Sequence, residues 1–101
     1  MEIQANRSLV IIGAFSMGIA VILGALGAHA LENVLSSDSL DSFKTGVRYQ
    51  AWHSLAILML GLAGQMILNK KQIKILARLF IAGIFMFSLS IYLLTCRTLV
   101  F

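Results

Sequence analysis

Charged residues are scarce in this sequence. Asp, Glu, Lys and Arg make up only 12% of its 101 residues, whereas an average soluble domain has about 25%. Hydrophobic residues account for 59%. Because so few charges cannot cover the surface of a water-soluble domain, the composition argues against that class and indicates an integral membrane protein.

Cysteine is almost absent as well. The single Cys96 cannot form a disulfide within the chain and has no CxxC partner. We expect it to be a buried, inert thiol. The sequence also lacks a Ser-His-acid or Cys-His arrangement of the kind used in nucleophilic catalysis. We therefore predict that the protein is not an enzyme.

Acidic residues are fewer than basic ones, four against eight, which gives a net charge of +4. A basic excess can indicate nucleic-acid binding, but these bases are not interleaved with exposed aromatics on a soluble face. Half of them lie in residues 69–78, which contain no acid, whereas residues 32–48 carry three acids and two bases. The positive-inside rule then predicts that the N-terminus and the 69–78 loop are cytoplasmic. We expect a lipid bilayer as the partner, and no nucleic acid.

Three long stretches, residues 8–31, 49–69 and 79–96, contain no charged side chain. Each is close to the roughly 20 residues that a membrane-spanning helix needs. The sequence therefore predicts an all-α integral membrane bundle, one transmembrane domain over residues 1–101, with spans at about 9–31, 49–69 and 79–96. Leu40, Phe43 and Val47 follow helical spacing and predict a short amphipathic helix at about 39–47. Gly46 is either a place for the chain to bend or a packing residue.

The first stretch also has features of a secretory signal peptide. Arg7 precedes an apolar run, and Ala28-His29-Ala30 resembles an A-x-A cleavage site. However, the run from residue 9 to residue 26 exceeds the apolar core of about 7 to 15 residues that signal peptides use. We expect the segment to remain as the first span.

Small residues recur along the first span. Ala20, Gly24 and Ala28 are four residues apart, a spacing that lets the backbone of another helix approach closely. We predict that these three residues mediate helix packing, within the protein or against a partner.

Polar residues gather where the first span ends and the second begins, on the side of the membrane opposite the basic loop. They predict a polar cluster of His29, Thr45, Tyr49, Gln50 and His53. Its simplest role is structural, because hydrogen bonds between helices would tie the two spans together. Two histidines fall short of the three or four ligands that zinc requires. A bis-histidine haem and a proton-handling imidazole are the sharper alternatives, and we predict no catalytic, cofactor or metal residues.

Several segments resemble a known family of small multi-pass membrane proteins, the domain of unknown function 423 family. They are residues 24–31 (GALGAHAL), 43–50 (FKTGVRYQ), 53–56 (HSLA) and, more weakly, 87–94 (FSLSIYLL). The resemblance covers nearly the whole chain. It implies a protein of the bacterial plasma (inner) membrane, with related forms in mitochondria and no established activity.

The sequence departs from the family pattern in two places. Leu89 stands where the family usually has glycine, and the fourth, glycine-rich span usual in the family is missing. We expect either a natural three-span form or a sequence that stops early. The predicted function is that of a structural or accessory subunit that packs against other membrane proteins or copies of itself. An oligomeric small transporter or channel is the alternative, followed by a haem or redox carrier.

Overall fold

The molecule consists of helices that run up and down beside one another. The structure, a computed structural model, describes residues 6–100. Its elements are α1 (Arg7–His29), α2 (Ser37–Ala63), a 3-10 turn (Gly64–Met66), α3 (Lys70–Gly83), a π-helical segment (Ile84–Leu89) and α4 (Ser90–Val100). The last three follow one another without a break and are called the third helix below. The all-helical class predicted from the sequence is confirmed.

Side-chain caps mark where the helices begin. The Asn6 side chain accepts a hydrogen bond from the Leu9 amide, and Ser36 accepts one from Ser39. Asn69 and Gln72 form a capping box at the start of α3, with bonds of 2.9 and 3.0 Å. Because this box starts the helix at Lys70, the predicted loop 69–78 is wrong: residues 70–78 are the first turns of α3.

α2 is one uninterrupted helix of 27 residues. The separate amphipathic helix predicted at about 39–47 is therefore wrong, because those residues form the first turns of α2. Gly46 does not bend the chain. It lets the third helix approach, since an added Cβ would lie 3.3 Å from Cγ2 of Ile91. The span predicted at 49–69 also runs too far, because α2 ends at Ala63.

Two helices among the described residues are long and apolar enough to cross a membrane, Arg7–His29 and Lys70–Leu99. Both begin before the predicted spans 9–31 and 79–96. α2 is not among them, because its N-terminal two-thirds carries charged and polar side chains as far as Ser54. The prediction of three transmembrane helices is therefore not confirmed.

α1 and α2 pack antiparallel through small residues that recur every seven positions. Gly13, Ala20 and Gly27 of α1 are all buried. A Cβ added at Gly13 would lie 2.7 Å from the Leu58 backbone nitrogen, and one at Gly61 would lie 2.8 Å from the Val10 nitrogen. The two backbones thus meet directly, as small residues allow in membrane helices.

The packing residues predicted from the four-residue repeat lie at different places relative to this contact. Ala20 is in it and is only 2% exposed. Gly24 is half-buried at its edge, where an added Cβ would lie 3.6 Å from Cγ1 of Val47. Ala28 is exposed. The contact therefore follows a seven-residue pattern along α1 rather than the four-residue pattern.

Two apolar clusters hold the ends of the bundle. One lies where α3 begins and contains Leu9, Ile57, Leu60, Ile73 and Ala77. The other lies around the connection between α1 and α2 and contains Leu31, Leu35, Leu40 and Phe43. Between these clusters the three helices are joined by polar side chains.

Candidate functional site: a polar layer and a groove

Gln50 is the centre of a polar layer in the middle of the bundle. Its side chain is 4% exposed. The amide nitrogen Nε2 donates to the backbone oxygen of Ser16 on α1 at 2.8 Å, and the Tyr92 hydroxyl of α4 donates to Oε1 at 2.7 Å. One glutamine on α2 therefore connects α1 with the third helix.

Two fully buried serines extend the layer. The Ser54 hydroxyl lies 2.6 Å from Oγ of Ser16 and 2.6 Å from the Gln50 backbone oxygen. The Ser88 hydroxyl, in the π-helical segment, donates to the Gly46 backbone oxygen at 2.7 Å. Because Gly46 has no side chain, the third helix comes close enough for this bond to form.

The hydrogen-bonding capacity of the layer is used within the bundle. Among the described residues, every buried side-chain nitrogen or oxygen has a hydrogen-bond partner. An unpaired polar group in hydrocarbon would cost several kcal/mol, so this pairing lets the polar layer exist inside an apolar bundle. The geometry supports a role in fixing the helix arrangement.

Of the five residues predicted to form the polar cluster, Gln50 makes side-chain hydrogen bonds to other helices. Thr45 donates to the Asp41 backbone oxygen, and Nδ1 of His53 donates to the Tyr49 backbone oxygen at 2.7 Å, so both bonds stay within α2. The Tyr49 ring packs edge-on against Trp52 and Phe87. His29 is exposed at the end of α1.

The two histidines are not brought together. Gly24 faces Val47, and Gly13 faces Leu58, so the antiparallel register places His29 level with residue 42 and His53 level with residue 18. These levels are 11 residues apart, or about 16 Å along the helix axis. His53 also faces the third helix, where its ring lies against Phe80 and Gly83.

Four members of the layer, Ser16, Ser54, Ser88 and Tyr92, were not singled out as site residues from the sequence. The sequence pattern that could have indicated them is helical spacing. Ser54 follows Gln50 by four residues and Tyr92 follows Ser88 by four, so each pair lies on one face of its helix. Serine is common in membrane helices, however, and its hydroxyl often bonds the carbonyl four residues earlier. Ser90 does this with Met86, so spacing alone does not distinguish Ser88 from Ser90.

A groove of about 360 Å³ opens over the polar layer, between α1 and the third helix, with α2 as its floor. Its walls are apolar and include Ile12 and Ile19 of α1 and Phe85 and Leu89 of the π-helical segment. Ser16, Gln50 and Tyr92 reach its inner surface. The groove is therefore a concave, mostly apolar surface on the side of the bundle.

Reactive and ligating side chains do not gather in the described part of the chain. Residues 6–100 contain no group of three or more His, Cys, Asp or Glu side chains placed to hold a metal ion. The expectation that Cys96 is buried is wrong, because it lies exposed on α4. It faces outward there because Thr95, the neighbouring residue, takes the buried position.

Apolar helices of membrane-spanning length, joined by satisfied buried hydrogen bonds, define a helical membrane protein. The chain belongs to the family described as "Protein of unknown function (DUF423)", whose model matches residues 23–100. The family resemblance seen in the sequence is therefore confirmed.

The relatives described here are bacterial. The UPF0382 membrane protein YwdK of Bacillus subtilis is 34% identical over 89 residues, which are 88% of this chain and 72% of that protein. The UPF0382 inner membrane protein YgdD of Escherichia coli is 42% identical over 62 residues, which are 61% of this chain and 47% of that protein. The UPF0382 membrane protein SSP2132 of Staphylococcus saprophyticus is 37% identical over 89 residues, 87% of this chain and 72% of that protein. No solved structure matches the chain. These relatives and the two apolar helices fit a place in the bacterial inner membrane.

Proposed function

We propose that the protein is a structural or accessory subunit of the bacterial inner membrane, and that its groove seats an apolar helix of a partner membrane protein. The observation that carries the proposal is the shape of the bundle. α2 packs against both α1 and the third helix, while a concave apolar surface stays open between the other two. Helices in lipid associate through close packing of such surfaces rather than through a hydrophobic driving force.

The polar layer supports this role because it fixes the walls of the groove. Gln50 holds α1 through Ser16 and holds α4 through Tyr92. The distance between the two walls is therefore set before a partner arrives. A preformed surface loses less conformational freedom on binding than a mobile one.

The proposal includes a topology. α2 forms the third crossing, since its 27 residues extend about 40 Å, and its polar side chains on the bundle side are shielded by α1 and the third helix. The N-terminus and the basic start of α3 lie in the cytoplasm, as the positive-inside rule favours.

The test is gentle solubilisation of the tagged protein from its own membrane, with stoichiometric companions identified by mass spectrometry. Ile19→Trp fills the groove, because Ile19 lines it. Ile22→Trp is the matched control, because Ile22 is 68% exposed and lies outside the groove lining. We expect a defined companion that is reduced about tenfold or more by Ile19→Trp and retained by Ile22→Trp.

A companion that is lost equally with both tryptophan variants would contradict the groove as the contact surface. Loss with Gly18→Leu alone would assign the contact to the exposed side of α1 around Gly18, because an added Cβ there has no neighbouring atom within 4 Å. Gly24→Leu would change one of the packing residues predicted from the sequence, but it is a less informative test. Gly24 packs against Val47 within the same protein.

A second candidate, a small transporter or channel formed by oligomerisation, is favoured by one observation. Ser16, Gln50 and Tyr92 present polar groups to the groove, and such groups could line a path between copies. Flux in proteoliposomes that falls with Gln50→Leu and persists with His53→Ala, which lies outside the groove lining, would support it. Flux no greater than that of empty vesicles would contradict it. One copy of the protein does not place two histidines to ligate the same haem, because His29 and His53 are about 16 Å apart along the helix axis.

A further inference from the structure

A second cleft, of about 610 Å³, lies at the end of the bundle where α3 begins. It adjoins the groove, with which it shares Ile81, but a ligand in the cleft does not require the proposed subunit role. Four basic side chains line it, Lys70, Lys71, Lys74 and Arg78. The side-chain amide residues Asn6 and Gln65 line it as well.

The four bases lie on one side of α3. At about 100° of rotation per residue, residues 70, 71, 74 and 78 fall within an arc of roughly 100°. From residue 70 to residue 78 they extend about 12 Å along the axis. The cleft therefore presents a continuous strip of positive charge that runs from the end of the bundle toward its middle.

The described acidic residues cannot neutralise this strip. Glu32, Asp38 and Asp41 all lie in or just after the connection between α1 and α2, which is at the other end of the bundle. Four like charges held on two to three helical turns repel one another at the spacings of three and four residues. An anion in the cleft would relieve that repulsion.

The inner wall of the cleft is apolar. Leu9, Ile73, Ala77 and Ile81 line it, and Ile73 and Ala77 belong to the buried cluster at this end. A headgroup layer is only about 5 to 7 Å thick on each side of the hydrocarbon. With Lys70 at the outer edge of that layer, a basic strip about 12 Å long reaches past it, so that Arg78 lies at the depth of the hydrocarbon beside apolar side chains.

We propose that this cleft binds an anionic glycerophospholipid. Its phosphate lies among Lys71, Lys74 and Arg78, and an acyl chain follows the apolar wall toward Ile81. The ligand class follows from two features found together. The bases require an anion, and the adjoining apolar wall favours one that carries a hydrocarbon chain over a free phosphate.

Native mass spectrometry of the detergent-solubilised full chain tests the proposal. The probes are palmitoyl-oleoyl phosphatidylglycerol, phosphatidylcholine with the same acyl chains, sn-glycerol 3-phosphate and inorganic phosphate. We expect phosphatidylglycerol to bind at least about fivefold more tightly than phosphatidylcholine. The Lys71→Gln/Lys74→Gln variant should weaken phosphatidylglycerol binding about tenfold and leave phosphatidylcholine binding unchanged.

The Lys44→Gln/Arg48→Gln variant is the matched control, because it also removes two exposed bases, but on α2 and outside the lining of the cleft. It should change phosphatidylglycerol binding by less than about twofold. Equal weakening by both variants would overturn the site, since net charge alone would then explain the binding. Equal affinity for the two lipids would overturn the anion preference. Displacement of the lipid by inorganic phosphate or sn-glycerol 3-phosphate at equal concentration would overturn the lipid assignment in favour of a free phosphate.

Discussion

The hydroxyl of Tyr92 donates a 2.7 Å hydrogen bond to Oε1 of Gln50, across 42 positions of sequence. The same Gln50 side chain also binds α1, because its Nε2 donates a hydrogen bond to the Ser16 backbone oxygen. A single polar side chain thus fixes two helix pairs.

The coupling between Gln50 and Tyr92 can be measured with a double-mutant cycle of Gln50→Leu and Tyr92→Phe. Each single variant should lower the free energy of unfolding in mixed detergent micelles, because it leaves the partner group without its bond. We expect a coupling of about 0.6 kcal/mol and at most about 1.7, the range found for hydrogen bonds between membrane helices. A coupling of zero, with both variants folded, would show that the bond does not hold α4 to α2.

The closeness of α1 and α2 predicts that Gly13 and Gly18 respond differently to alanine. A Cβ at Gly13 would lie 2.7 Å from a backbone nitrogen of α2, whereas a Cβ at Gly18 would meet nothing within 4 Å. Gly13→Ala should therefore lower the free energy of unfolding by about 1 to 3 kcal/mol, as overpacking does. Gly18→Ala should leave it unchanged or raise it by up to about 1 kcal/mol, because alanine favours the helix and meets no clash there.

The unfolding can be followed by the fluorescence of Trp52, the single tryptophan of the sequence. Equal effects of the two alanine substitutions would contradict the contact face. That outcome would place the small residues of α1 against another surface.

The exposed thiol of Cys96 provides a test of topology. With the N-terminus in the cytoplasm, the C-terminal part of α4 lies on the outer side. A membrane-impermeant maleimide should therefore label Cys96 in intact spheroplasts. In a Cys96→Ser background, Ser37→Cys should label in the same way, and Lys71→Cys should label only after the membrane is permeabilised. Labelling in the reverse order would show the opposite orientation.

Much of the local structure could be predicted from the sequence. The uncharged runs located α1 and most of the third helix, because burying charge in hydrocarbon is costly. The starts of the helices were less well predicted. The pair Asn69 and Gln72 is a local capping signal that extends α3 back to Lys70, but the charge of residues 70–78 favoured a loop. Local hydrogen bonding therefore set the start of α3 at Lys70. The charge of residues 70–78 bears on which side of the membrane this helix end faces, not on where the helix begins.

The polar site was harder to predict for a physical reason. Gln50 is one of five polar residues that shared a helix end in the sequence, but only the packed bundle shows which other helices lie within hydrogen-bonding distance. His53 turns toward Phe80 and Gly83, whereas Gln50 lies between Ser16 and Tyr92. A rotation of about 60° between positions 50 and 53 separates these environments, and spacing within one helix does not determine where neighbouring helices sit.

The sequence by itself determined that this is an apolar, all-helical membrane chain, that its bases lie mainly at one end, and that its first helix carries small residues. These properties follow from composition and local spacing, which act on each segment independently. Tertiary structure alone decided that α2 continues through Gly46, that Gly13, Ala20 and Gly27 form the contact face of α1, and that Gln50 joins three helices. The last of these depends on the Ser16 backbone oxygen and the Tyr92 hydroxyl, 34 and 42 positions from Gln50, which come within hydrogen-bonding distance only after the helices have packed.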